Sequence, residues 1–137
     1  MITVQNEIKA SLAKVWECWN EPEHVTKWCF ASEDWHAPNA TNELQVGSFF
    51  TTRMEAKDGS FGFDLKGIYD EIVLHEVIKY HLEDNRKVEV YFSEKEGITS
   101  VIEHFDPENQ NPHEMQQQGW QAILNNFKKY VESIPAE

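Results

Sequence analysis

Apolar and polar positions alternate through the middle of the chain and recur at helical spacing towards both ends. Ile2, Val4 and Ile8 fall at strand spacing, although the alternation breaks at Asn6. Ser11 can accept a bond from a free backbone N–H and so cap a helix. Leu12, Val15, Trp16 and Trp19 then follow at i, i+3, i+4 and i+7, which is one helical face. Pro22 ends that helix and suits the first turn of a second short one carrying Val25 and Trp28. From Cys29 to Asn42, with Trp35, His36 and Pro38, no period is evident, and the segment reads as a long loop.

Strands are predicted at Phe49–Glu55, Phe61–Val73, Glu76–Leu82, Lys87–Phe92 and Thr99–Phe105. Asp58-Gly59, Asp84-Asn85 and Glu96-Gly97 supply turn chemistry between them. Connections this short make the strands antiparallel neighbours in a meander. Asn111-Pro112-His113-Glu114 reads as a helix start, with Asn111 capping, Pro112 in the first position and Glu114 reaching back. Trp120, Ile123, Leu124, Phe127, Val131 and Ile134 form the stripe of a helix of about 20 residues, about 30 Å long. Such a stripe must be buried, and one face of the sheet is the only apolar surface large enough. The expectation is a single α+β domain over residues 1–137. It has two short helices after the first strand, a curved antiparallel sheet of about six or seven strands and a long C-terminal helix.

Charge narrows the function classes. Twelve Lys and Arg against 24 Asp and Glu leave a net charge of −12 across 137 residues. A phosphate backbone or an anionic membrane surface would repel such a chain on average, so neither nucleic acid nor membrane is an expected partner. A mean hydropathy of −0.62 would suit disorder. Five Trp, four Tyr and eight Phe exclude it, because disordered chains are poor in aromatics. No apolar run approaches membrane-spanning length, and the N-terminus lacks the basic and apolar regions of a signal peptide. Cys18 and Cys29 form no CxxC pair, and a reducing, cytoplasmic setting is expected. The six His show no metal-ligand spacing, and no Walker loop, GxGxxG or GxSxG occurs, so no metal and no cofactor is expected.

Four segments carry a resemblance. They are Ala10-Ser-Leu-Ala-Lys-Val-Trp-Glu-Cys-Trp-Asn-Glu-Pro-Glu with Trp28, Phe63-Asp-Leu-Lys-Gly-Ile-Tyr-Asp-Glu-Ile72, Thr99-Ser-Val-Ile-Glu-His-Phe105, and Gly119-Trp-Gln-Ala-Ile-Leu-Asn-Asn-Phe-Lys-Lys-Tyr-Val131. In this order the chain resembles the START-like, or SRPBCC, superfamily, and within it the branch named after the activator of the heat-shock-protein-90 ATPase. The resemblance implies a helix-grip fold, a curved sheet wrapped around the C-terminal helix with a cavity between them. Ligands in that superfamily are often lipids, polyketides, hormones or aromatic compounds. The eukaryotic cochaperone has an additional N-terminal domain that engages the chaperone. A chain of 137 residues has no room for it, so a chaperone partner is not expected. A homodimer stays open.

Alternation assigns the candidate site. Phe61, Phe63, Leu65, Gly67 and Tyr69 share one face of the long strand, and Ile78, Tyr80 and Leu82 share a face of the next. Val88, Val90 and Phe92 form a third such set, and Thr99, Val101, Glu103 and Phe105 a fourth. These residues either pack solid or leave a pocket at the wide end. Tyr69 and Tyr80 would orient a ligand there with their hydroxyls, or bond backbone carbonyls instead. Trp28 and Trp35 belong near the mouth, as a lid or as packing under the loop. On the long helix, Met115 is the main apolar residue of the first turns and Trp120 begins the stripe. Gly119 between them permits close backbone approach, leaves space, or makes plain helix–sheet contact. An inward Glu103 would have a raised pKa and could act as acid or base, whereas a bond to Arg53 would make it ordinary. Three functions follow: a binding module for a small apolar or aromatic molecule, a cyclase or dehydratase using Glu103 with Tyr69 or Tyr80, or an interaction protein docking through its acidic surface.

Overall fold

The computed structural model describes residues 1–135. Strand β1 (Ile2–Ile8) leads into helices α1 (Leu12–Asn20) and α2 (Pro22–Trp28). Strands β2 (Trp35–Asn42), β3 (Phe49–Ala56), β4 (Gly62–Val73), β5 (Val77–Leu82), β6 (Lys87–Lys95) and β7 (Ile98–Phe105) follow, then helix α3 (His113–Ser133). The seven strands form one antiparallel sheet in the order β1-β7-β6-β5-β4-β3-β2. The sheet is curled, and α3 lies in its concave face.

Local chemistry explains most boundaries. The Ser11 hydroxyl accepts the Lys14 N–H at 3.2 Å and starts α1, and Pro22 takes an early position of α2. Asn85, Glu96 and Gly97 have positive φ, as tight hairpin turns require. A register shift between Tyr69 and Glu71 marks a bulge in β4. Tyr69 points inward before it and Ile72 after it, which lets the strand bend without turning its apolar side outward.

Two expectations need correction. The segment read as a loop contains β2. The sequence shows no alternation there because β2 is an edge strand paired only to β3, with Pro38 and a register shift between His36 and Asn39 breaking its period. The start of α3 also differs. Pro112, not Asn111, is the cap residue, and no side chain caps the helix. Asn111 donates its backbone and side-chain N–H groups to Glu108 Oε1 at 2.7 and 2.8 Å. Gln116 is buried and fixes the same loop, bonding the Glu108 backbone on both sides and the Asn111 carbonyl. The polar opening of α3 is therefore partly a buried clasp.

Leu124, Phe127 and Val131 of α3 are fully buried against the sheet. Its next ridge is polar and covers the outer edge of β1. Gln117 donates to the Thr3 carbonyl, Gln121 bonds both the N–H and the carbonyl of Gln5, and Glu132 accepts the Lys9 N–H. These side chains replace the neighbouring strand that β1 lacks.

Gly119 neither approaches backbone nor touches the sheet. It is half-buried, and a Cβ built there meets nothing within 4 Å. Gly119→Ala is therefore expected to stabilise the fold by up to about 1 kcal/mol, because only the helix-propensity cost of glycine is removed. Urea denaturation of the two proteins measures this, and a lower midpoint would contradict the open placement of that face.

Candidate functional site

The concave side of the sheet does not close completely on α3. A cavity of about 270 Å³ lies between β2–β5, β7, the α1–α2 elbow and the first half of α3. Register places its walls. Phe63, Leu65, Gly67 and Tyr69 of β4 stand opposite Met54, Thr52 and Phe50 of β3 on one side and Leu82 and Tyr80 of β5 on the other. Partly exposed residues of the lining, among them Phe63, Arg86, Trp120 and Ile123, mark the opening.

Six of the expected residues line this space: Trp28, Phe63, Tyr69, Tyr80, Glu103 and Trp120. Trp28 is buried. Its indole Nε1 donates to the Cys18 carbonyl at 2.9 Å, and its ring packs edge-on to Phe127 at 4.6 Å. It thereby fixes α2 to both other helices and is not a mobile lid. Trp120 stacks on Phe105 with the ring planes 9° apart.

Three expected residues lie outside the lining. Trp35 belongs to the missed strand and clusters with Phe61 and Phe63 at the far end of the β3–β4 hairpin. Phe61 precedes β4 and is exposed, with its ring beside those of Trp35 and Phe63. Met115 is exposed and stands outside the lining, on a different side of the helix from the buried Gln116. Gly119 faces away, as described above.

Other wall residues were not foreseen. Ala40 and Asn42 come from β2, whose strand character the sequence hides. Phe50, Thr52 and Met54 come from a foreseen strand, and their parity follows once β3 is paired in register with β4. Trp19 and Val25 share helical faces with Trp16 and Trp28, and that spacing could have identified them.

Gly67 is the flat point of the wall. A Cβ there would lie 2.7 Å from Tyr80 Cδ2 and closer still to the Phe50 ring. Those two rings meet edge to face at 4.9 Å across it. Gly67→Ala is expected to destabilise by about 1–3 kcal/mol through overpacking. Chemical denaturation tests this, and an unchanged midpoint would show that Phe50 yields freely.

The polar groups are few. Tyr69 donates its hydroxyl to Asn42 Oδ1 at 2.6 Å, where a backbone carbonyl was the alternative. Burial raises its pKa, with that bond opposing. Among the described residues, the Tyr80 hydroxyl and the Glu103 carboxyl make no hydrogen bond, and both line the cavity, to which their oxygens are open. Glu103 is only 6% exposed, and burial pushes its carboxyl up from 4.5 to about 8. Arg53 does not reach it, being bonded to Glu55 at 2.8 Å and close to Asp64. Burial, and secondarily the Glu103 charge, push the Cys29 thiol up to about 12. Tyr80 is raised well above its ordinary value, first by burial and then by Glu103, Cys29 and Tyr69. A carboxyl, a phenol and a thiol thus share one end of the space.

A curled antiparallel sheet gripping a long C-terminal helix, with a partly open space between them, defines a START-like helix-grip protein. A family model described as Activator of Hsp90 ATPase homolog 1-like protein matches residues 9–132, and the chain belongs to that family. A solution structure of an AHSA1-like protein from Aeromonas hydrophila is 39% identical, with a TM-score of 0.88. That alignment covers 96% of this chain and 93% of the other. A Cytophaga hutchinsonii protein is 51% identical with a TM-score of 0.83, over 96% of this chain and 92% of that one. A Nitrosomonas europaea protein shares the fold at 16% identity and a TM-score of 0.82, over 96% and 94% of the two chains. The comparison with curated proteins gives no match. No described helix is long and apolar enough to cross a membrane.

Proposed function

We propose that this protein is a receptor for a small apolar or aromatic molecule held between the sheet and α3. The observation that carries the reading is a cavity of about 270 Å³ walled mainly by aromatic and aliphatic side chains, with two unpartnered polar groups inside. Concave, mostly apolar sites with a few convergent polar groups are the form that small-molecule pockets take. The volume, about 270 Å³, is just below the usual range of about 300–1,000 Å³. A cavity of about 150 Å³ holds benzene, so this one admits roughly ten to twelve non-hydrogen atoms. The apolar walls provide affinity, and Tyr80 and Glu103 set orientation. Cytoplasmic residence belongs to the same proposal, since Cys18 and Cys29 are both free and buried.

The test is a thermal-shift and native mass-spectrometry screen of neutral indoles, naphthalenes and fatty acids on freshly purified protein. The bound state is expected at one molecule per chain, with a rise in melting temperature that grows with ligand concentration. Ala40→Trp, which projects an indole into the space, is expected to keep the fold and lose the binding. Equal stabilisation of that variant would place the ligand elsewhere, and no stabilisation by any compound would defeat the reading.

Glu103 facing the cavity favours one second reading, acid–base chemistry of the cyclase or dehydratase kind. A converted product found by mass spectrometry after incubation with a bound compound, and absent with Glu103→Gln, would support it.

A further inference from the structure

The charge inventory of the cavity is lopsided. Its titratable lining residues are Glu103 of β7, Tyr80 of β5, Tyr69 of β4, Cys29 at the end of α2 and Arg86 in the β5–β6 turn. The lining residues from α1, α3, β2 and β3 carry no titratable side chain. Of the five, the Tyr69 hydroxyl is already bonded to Asn42. Arg86, the one cation, is partly exposed and donates Nε to Asp84 at 2.7 Å, so its charge is answered outside. Glu103 is left 94% buried, aimed into the space, with no cation beside it and no hydrogen bond among the described residues.

We infer that the ligand carries a basic nitrogen, which enters the cavity as an ammonium and pairs with the Glu103 carboxylate while its apolar body fills the aromatic walls. This rests on the receptor reading above and names the ligand class for the same site. An acid would bring a second negative group to the same end. A neutral molecule can bond only the protonated carboxyl and gives the ionised form no countercharge. An ammonium supplies both the missing countercharge and donors for the Glu103 oxygens, and the Tyr80 hydroxyl lies at the same end to complete the set. The surrounding rings favour a cation as well, since indole and phenol faces are electron-rich. The net charge of −12 draws cations toward the chain before contact.

The pairing has a proton signature. An ammonium binds the ionised form of Glu103, which is the minor form below about pH 8. Apparent affinity scales with the fraction of competent protein, so it rises roughly tenfold per pH unit between pH 6 and 7.5 and then levels off. Near neutral pH, each binding event releases most of one proton.

Tryptamine, tryptophol and indole-3-acetate test this, being matched in size to the space and differing in the terminal group. Titration calorimetry at pH 6, 7 and 8.5, in two buffers of different ionisation enthalpy, measures affinity and proton release together. Tryptamine is expected to bind at least tenfold more tightly than tryptophol at pH 8.5 and to release a proton at pH 7. Indole-3-acetate is expected to bind most weakly. In Glu103→Gln the tryptamine advantage and the proton release are expected to vanish while tryptophol still binds, which also shows that the variant is folded. Tryptophol binding as well as tryptamine would overturn the inference and leave the receptor standing. Preference for indole-3-acetate would overturn it in favour of an acid held by Arg86. Binding of none of the three would overturn the inference, and the receptor reading would then stand or fall on the wider screen of naphthalenes and fatty acids.

Discussion

At pH 8.5, Glu103→Gln is expected to be more stable than the parent by a few kcal/mol, and at pH 4 the two should be nearly equal. The sign follows from where the proton sits. Burial raises the folded-state pKa of Glu103 from 4.5 to about 8, so between those values the folded protein holds a proton that the unfolded chain has released. Stability therefore falls as pH rises through that window, by roughly 1.4 kcal/mol per unit at most, and this contribution is constant above it. Glutamine has a similar shape and cannot ionise, so it lacks this loss. Urea denaturation of both proteins from pH 4 to 9 isolates the effect, since other titrating groups cancel in the difference. A difference independent of pH would show that the carboxyl is solvated in the folded state.

Trp28→Ala should be the most damaging substitution at the site, at about 3–5 kcal/mol. The indole is buried against Phe127 and Trp19, and its Nε1 satisfies the Cys18 carbonyl, so truncation opens a void and strands a buried acceptor. Helix α2 is short and depends on tertiary contacts, of which Trp28 is the centre, with the Asn126 amide on the Trp28 carbonyl and the His24–Tyr130 hydrogen bond beside it. Trp28→Phe keeps much of the packing and loses the hydrogen bond, and should cost clearly less. Equilibrium denaturation of both variants measures the difference, and equal losses would assign the effect to the hydrogen bond rather than to packing.

The fold was legible where one side of an element faces the core and the other faces water. The β6 run Val88, Val90, Phe92 and the α3 run Leu124, Phe127, Val131 are buried as their periods require. The inward direction of Glu103 was legible for the same reason, because parity does not depend on whether a residue is apolar. β2 was not legible, because an edge strand lined by Ala37, Ala40 and Asn42 has no strong alternation to display. Met115 and Gly119 were misplaced because spacing fixes which residues share a helical face, whereas where the helix meets the sheet depends on the loop that Gln116 clasps. Phe61 obeys the β4 parity and still lies outside, since alternation does not say where a strand begins, and β4 begins one residue later.

The polar ridge of α3 along β1 ties together residues 114 and 116 positions apart in the chain. β7, the other neighbour of β1, is nearly as remote, with Ile2 opposite Phe105. During synthesis, then, β1 leaves the ribosome long before either partner exists. The nascent chain can build its central hairpins early, but β1 cannot join the sheet until β7 has emerged, and its outer edge stays uncovered until α3 follows, so each contact waits on the closure of a long loop.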